Sequence, residues 1–292
     1  HESAARRIAV MGICHKLAGV IAPFVFAALV LRGVESFEGD VAKAANSEAR
    51  EALLDSFAAR VHGPYLVMAF LLAVLGLWIA RSKLPDVRAA RPSEARELPS
   101  VFAFPHLWLG VVCLFLYVGV EVMAGDAIGL YGAGFGLPVS ATRFFTSYTL
   151  FAMLAGYVVG LIVIPRFVSQ QRYLAFSGVL GVALAIGAYV TTGYASVLFI
   201  ASLGFANAMM WPAIFPLAIR GLGQHTETGS ALLIMAISGG ALMPYAFGVL
   251  KEHVDFQLAY LALAVPSYLF IVFYGVAGYA AGERDDRLAA LP

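Results

Sequence analysis

The sequence predicts an all-α membrane protein with about eight transmembrane helices, and three observations carry that expectation. Of 292 residues, 61% are hydrophobic and only 13% are charged. A soluble domain of this size has no means of hiding so much apolar surface, so the solvent has to be lipid. The apolar residues also gather into stretches of roughly 19 to 25, the length a helix needs to cross a hydrocarbon layer. Finally, a formal net charge of +1 gives nucleic acid nothing to bind, so no nucleic-acid partner is expected.

The expected spans lie near 8–31, 62–80, 105–131, 143–164, 173–191, 195–219, 228–250 and 257–280. The chain opens on HESAARR, with neither Met nor a signal peptide, and reads as a polar loop leading into the first span. The sequence is therefore expected to be a fragment. The first span carries Gly12, His15 and Gly19 on one face, followed by Lys16. Residues 32–61 read as a charged, solvated loop in which Val41, Leu53, Phe57 and Val61 line one side of a short amphipathic helix. Residues 81–104 hold Arg81, Lys83, Arg88, Arg91 and Arg96 among Pro85, Pro92 and Pro99, the composition of a linker. The third span presents Tyr117, Glu121 and Gly125 on one face, with Asp126 placed at a helix end. The sixth is read as one continuous helix in which Asn207 and Trp211 are neighbours four residues apart, ahead of Pro212 and Pro216.

An internal echo organises these spans. AGVIAPF at 18–24 and GGALMPY at 239–245 share a small residue, a glycine, three apolar residues, a proline and an aromatic. A separation of six spans is the parallel repeat of transporters built from two six-helix halves. On that reading about four spans precede this chain. Residues 1–80 are then the last two helices of the N-terminal six-helix bundle, 81–104 a cytoplasmic linker and 105–292 the C-terminal bundle.

Charge gives the orientation. Arg6, Arg7, Arg81, Lys83, Arg88, Arg91, Arg96, Arg166, Arg172, Arg220, Arg284 and Arg287 fall on one side of the layer; Arg32, Lys43, Arg50, Arg60, Arg143 and Lys251 fall on the other. The positive-inside bias puts both ends of this fragment in the cytoplasm and the chain in the cytoplasmic (inner) membrane.

Ionisable groups within a span are costly and tend to line a pathway. Glu121, with Tyr117 one turn away, is read either as part of a polar cavity or as half of a structural ion pair. His15, flanked by Gly12 and Gly19, fits either tight helix packing or access for a ligand. Asn207 beside Trp211 offers an amide that donates and accepts next to a broad aromatic face, which suits the hydroxyls and C–H face of a sugar; the alternative is a packed Trp and an Asn bridging helices. Cys14 and Cys113 lie in apolar spans and read as small hydrophobes. No HExxH, GxSxG or phosphate-loop motif is present, and His62, His106, His225 and His253 are not at ligand spacing. An enzyme, a metal site and a cofactor are therefore not expected. The one group fit for an enzyme on lipid-linked sugars is Arg220, His225 and Glu227 in a short turn.

FLYVGVEVMAGDAIGLYG (115–132), WPAIFPLAIRGLGQHTETGSALLIMAISGGALMP (211–244) and HESAARRIAVMG (1–12) resemble the glucose/galactose transporter branch of the fucose:proton symporter family, within the major facilitator superfamily. The likeness covers essentially the whole chain. It implies a two-bundle protein of twelve helices, of which this chain looks like helices 5–12, with a central sugar cavity and alternating access. It also implies hexose transport coupled to protons, with sodium coupling or a non-transporting sugar sensor as alternatives. The family's coupling acids belong to helices 1 and 4, outside this chain. His15 stands where relatives place an Asn in the cavity, Glu121 where the fucose branch has Gln, and Asn207 and Trp211 on the cavity face of helix 10. With Tyr117 and Gly12 these are the expected substrate-binding residues.

Overall fold

A computed structural model describes residues 10–15, 17–22, 25, 37, 40–41, 43–44, 46–82, 100–142, 144–164 and 166–282, excluding the side chains of residues 139 and 140. The described residues are helical with connecting turns, and seven helical segments are long and apolar enough to cross a membrane. The first expected span is described in part, as a shorter apolar helix α1 (Val10–Ala22). Lys16, Pro23 and Phe24, together with linker residues 83–99, lie outside the described residues.

The chain divides into two contact units, one of residues 21–89 and one of residues 1–20 with 90–292. In the first, α2 (Ser47–Ala80) begins at Asn46, whose side chain accepts from the Ala49 N–H at 2.8 Å. Its 34 residues span about 51 Å at ~1.5 Å each, well beyond a ~30 Å hydrocarbon layer. The helix therefore continues through half of the expected loop 32–61, whose later part is not irregular. The face drawn from the sequence is real there. Leu53, Phe57 and Val61 are half-buried on an otherwise exposed helix, and Phe37 stacks on Phe57 with ring centroids 4.5 Å apart.

The second unit holds six spans. They are α3 (Pro105–Gly125), α6 (Phe145–Val163), α7 (Gln170–Val190), the pair α8 (Gly193–Asn207) and α9 (Met210–Ala218), the pair α10 (Thr226–Met235) and α11 (Gly239–Leu250), and α12 (Phe256–Val276). Short helices α4 (Ile128–Ala133) and α5 (Val139–Thr142) follow α3. Helix α7 lies along α12 and α8, α6 along α8, and α3 along α9, α11 and α12. In lipid there is little hydrophobic force between helices, so close approach and hydrogen bonds have to hold such a bundle. Glycine supplies the approach. A Cβ at Gly204 would meet the Thr149 carbonyl, and one at Gly239 the Phe115 carbonyl.

Three expected spans differ from the sequence reading. The third ends at Gly125 rather than running to 131: the Thr146 and Thr149 hydroxyls donate to the Gly125 and Ala124 carbonyls at 2.8 Å each, occupying acceptors that further helix would need. Asp126 is the C-cap, as a helix-end position required. The sixth breaks at Ala208–Met209, because Pro212 has no N–H for the Ala208 carbonyl four residues back and its ring crowds that carbonyl. Pro216 likewise gives nothing to the Pro212 carbonyl. The Gln170 amide fills that gap, donating to the Pro212 and Ala213 carbonyls at 3.2 and 2.7 Å. The seventh is interrupted by a 3-10 turn, Ala236–Ser238, just ahead of Gly239 and Gly240 in the second copy of the repeat.

At the end of the bundle away from Arg166, Arg172 and Arg220, a polar network ties four helices together. The Ser196 hydroxyl donates to the Ala188 carbonyl at 2.6 Å, so the Tyr131 phenol, 2.6 Å away, donates to Ser196. Both N–H bonds of the Gln257 amide are used, on the Ala188 and Thr191 carbonyls at 2.8 Å each.

Candidate functional site

The residues of interest converge near the middle of the six-span unit. Helix α3 carries Tyr117, which is buried, and Glu121, which is half-buried. The Tyr117 phenol donates to the Glu121 carboxylate one turn further on, and the carboxylate also lies within electrostatic range of Tyr157 from α6 and Tyr268 from α12. Opposite, α11 presents Met243 against Gly119. An acid in this layer is thus surrounded by phenols from three helices, which is how the bilayer interior tolerates a carboxylate.

Asn207 is the last residue of α8 and is fully buried. Its Oδ1 accepts from the Tyr268 phenol at 3.0 Å, while Nδ2, also buried, has no partner among the described residues. Leaving a buried donor unsatisfied costs about 1–3 kcal/mol. The backbone around it is clasped by α6: a Cβ on Gly156 would come within 2.6 Å of the Phe205 carbonyl, and one on Gly160 would run into Met209. The chain break, the amide and the glycine seam therefore coincide.

Trp211 does not share a continuous helical face with Asn207, because the break at Ala208–Met209 separates them. It is partly buried and lies parallel to Phe215, with ring centroids 6.1 Å apart and planes 15° apart. Gly12 of α1 packs on Tyr157, where a Cβ would lie 2.8 Å from the phenol oxygen. His15, one turn along the same helix, is exposed. The structure thus brings Tyr117, Glu121 and Asn207 into one neighbourhood and links Gly12 to it through Tyr157.

Tyr157 and Tyr268 were missed in the sequence. Each sits in an apolar helix with no charged neighbour to mark it. The available signal was a tyrosine near the centre of a span, flanked by Gly156 and Gly160 in one case and preceded by Pro266 in the other. Among the described residues, no group of three or more His, Cys, Asp or Glu is placed to hold a metal ion.

A scan against protein-family models finds no match. The fold matches a crystal structure of a major facilitator superfamily transporter, FucP, in the outward conformation, with a TM-score of 0.75 and 21% identity over 94% of this chain and 68% of that one. The likeness shows that the two share a helical membrane-protein fold. In sequence, the chain is 31% identical over 282 residues to the glucose/galactose transporter of Brucella abortus biovar 1, covering 95% of this chain and 64% of the relative. It is 24% identical over 244 residues to the L-fucose-proton symporter of Escherichia coli K12, covering 80% of this chain and 55% of that relative. In sequence the chain is thus similar to proteins named glucose/galactose transporter and L-fucose-proton symporter, and it spans under two thirds of the length of these curated relatives.

Proposed function

We propose that this chain supplies the sugar-handling bundle of a secondary transporter that carries a glucose- or galactose-like hexose by proton-coupled symport. The observation that carries this reading is the convergence at mid-span of a carboxyl group, Glu121, and an amide, Asn207, whose donors have no partner among the described residues, beside a broken helix. Adjacent hydroxyls of a monosaccharide each donate and accept, so they match such a pair. Interrupted spans with polar groups near the midplane are where transporters of this general kind hold their ligands. The names of the relatives support hexose as substrate and the proton as coupling ion. Residues 1–80 act as the last helices of one bundle, 81–104 as the linker and 105–292 as the other bundle. Alternating access arises by rocking of bundles around the site.

The test is uptake of labelled glucose, galactose and fucose by the intact protein in proteoliposomes. An inward proton gradient should drive accumulation of glucose or galactose, a protonophore should abolish it, and a sodium gradient should not replace it. Absence of both hexose uptake and counterflow would overturn the reading. Orientation is tested separately with an impermeant thiol reagent on intact cells. Glu48→Cys should label and Arg166→Cys should be shielded, consistent with a cytoplasmic basic end in the inner membrane.

A further inference from the structure

We propose that Tyr268 is a positioning residue that fixes Asn207 as a hydrogen-bond donor to the transported ligand; this rests on the reading of the mid-span site as the sugar site. A terminal amide has an acceptor end and a donor end, and a ligand senses which of them it meets. Here the choice is made by the partner on α12. The Tyr268 phenol donates to Oδ1 of Asn207 at 3.0 Å, which holds the acceptor end and turns both N–H bonds of Nδ2 away from Tyr268. Among the described residues those N–H bonds have no partner, although the side chain is fully buried.

Both partners sit in tightly packed surroundings. The Tyr268 ring is fully buried against Gly181 of α7, where a Cβ would stand 2.5 Å from ring atom Cδ1. Asn207 ends α8 at the break that Gly156 and Gly160 clasp from α6. The donor direction is therefore set by α7 and α12 and delivered at the end of α8. The carboxyl oxygens of Glu121 offer acceptors. The two residues then divide the work: Glu121 reads a hydroxyl through its hydrogen, and Asn207 reads an oxygen through its lone pairs. The ligand feature assigned to Asn207 is a hydroxyl, ring or ether oxygen of the sugar acting as acceptor.

Paired sugar analogues test this directly. A deoxyfluoro sugar keeps a weak acceptor at the altered position and has no donor, whereas the deoxy sugar has neither. Equilibrium binding of the parent hexose and both analogue series to the intact purified protein should reveal one position where the deoxyfluoro sugar clearly outbinds the deoxy sugar. In Tyr268→Phe that difference should vanish at that position only. Affinity for the parent should fall about threefold to tenfold, the loss of one neutral hydrogen bond, with a modest fall in melting temperature because buried Oδ1 of Asn207 loses its donor as well. In an Asn207→Ala background, Tyr268→Phe should add no further loss of affinity.

Tyr268→Phe protein that keeps the wild-type analogue pattern would overturn the proposal. So would a uniform loss of affinity for every analogue with no single position singled out, because that is the signature of a packing role. Wild-type protein that binds no hexose would remove the sugar-site reading and this proposal together, an outcome distinct from failure of Tyr268 alone.

Discussion

The middle of the six-span unit and its less basic end are built from the same kinds of group, tyrosines, hydroxyls and a carboxamide, and use them in opposite ways. At the end, each donor of Gln257 has a carbonyl, the Ser196 hydroxyl donates to the Ala188 carbonyl, and the Tyr131 phenol donates to Ser196. In the middle, Asn207 uses its acceptor on Tyr268 and leaves its donors without a partner among the described residues. A closed network in a low-dielectric interior stiffens the elements it joins, while an open one is receptive to another molecule. The difference separates a scaffold from a site, although both are buried.

The seam that supports both regions should show the largest effect when broken. Gly204→Val places a branched side chain into the Thr149 carbonyl at the α6–α8 crossing. Backbone cannot yield as a side-chain end can, so the yield of monodisperse protein in detergent should collapse. At the scaffold end, Gln257→Leu strips the donors from the Ala188 and Thr191 carbonyls. It should destabilise the protein by about 1–3 kcal/mol, seen as a lower melting temperature, without changing hexose affinity. Gln170→Ala leaves the Pro212 and Ala213 carbonyls without their amide and should cost about 1 kcal/mol, again with affinity unchanged. The smallest effect belongs to Glu121→Gln, which keeps shape and an acceptor. A minor loss of affinity and a shift of preference toward 6-deoxy sugars are expected in competition binding.

Much of this architecture was legible in the sequence, for a physical reason. A bilayer demands long apolar runs, so composition places spans to within a few residues, as for 143–164 and 173–191. Breaks inside spans were less legible. Pro212 was visible, yet its consequence at Ala208–Met209 depends on which neighbours rescue the freed carbonyls, and that is a tertiary matter decided by Gln170, Gly156 and Gly160. The same holds for the site. Glu121 and Asn207 stood out because polar groups in apolar runs are conspicuous, but Tyr157 and Tyr268 pass for ordinary aromatic residues until the fold places them beside that carboxylate. Trp211 shows the converse error: spacing alone paired it with Asn207, and the break moved it to a stack with Phe215.

The contrast between a closed scaffold and an open site is tested most directly by measuring hexose affinity and melting temperature together on purified Glu121→Ala and Gln257→Leu variants of the intact protein. Charge-assisted hydrogen bonds are worth roughly 1.5–3 kcal/mol, so Glu121→Ala should weaken binding about tenfold or more while melting close to the wild-type temperature. Gln257→Leu should show the reverse, normal affinity with a lowered melting temperature. Unchanged affinity in Glu121→Ala, accompanied by loss of thermal stability, would show that the mid-span carboxylate holds helices together and would contradict the account.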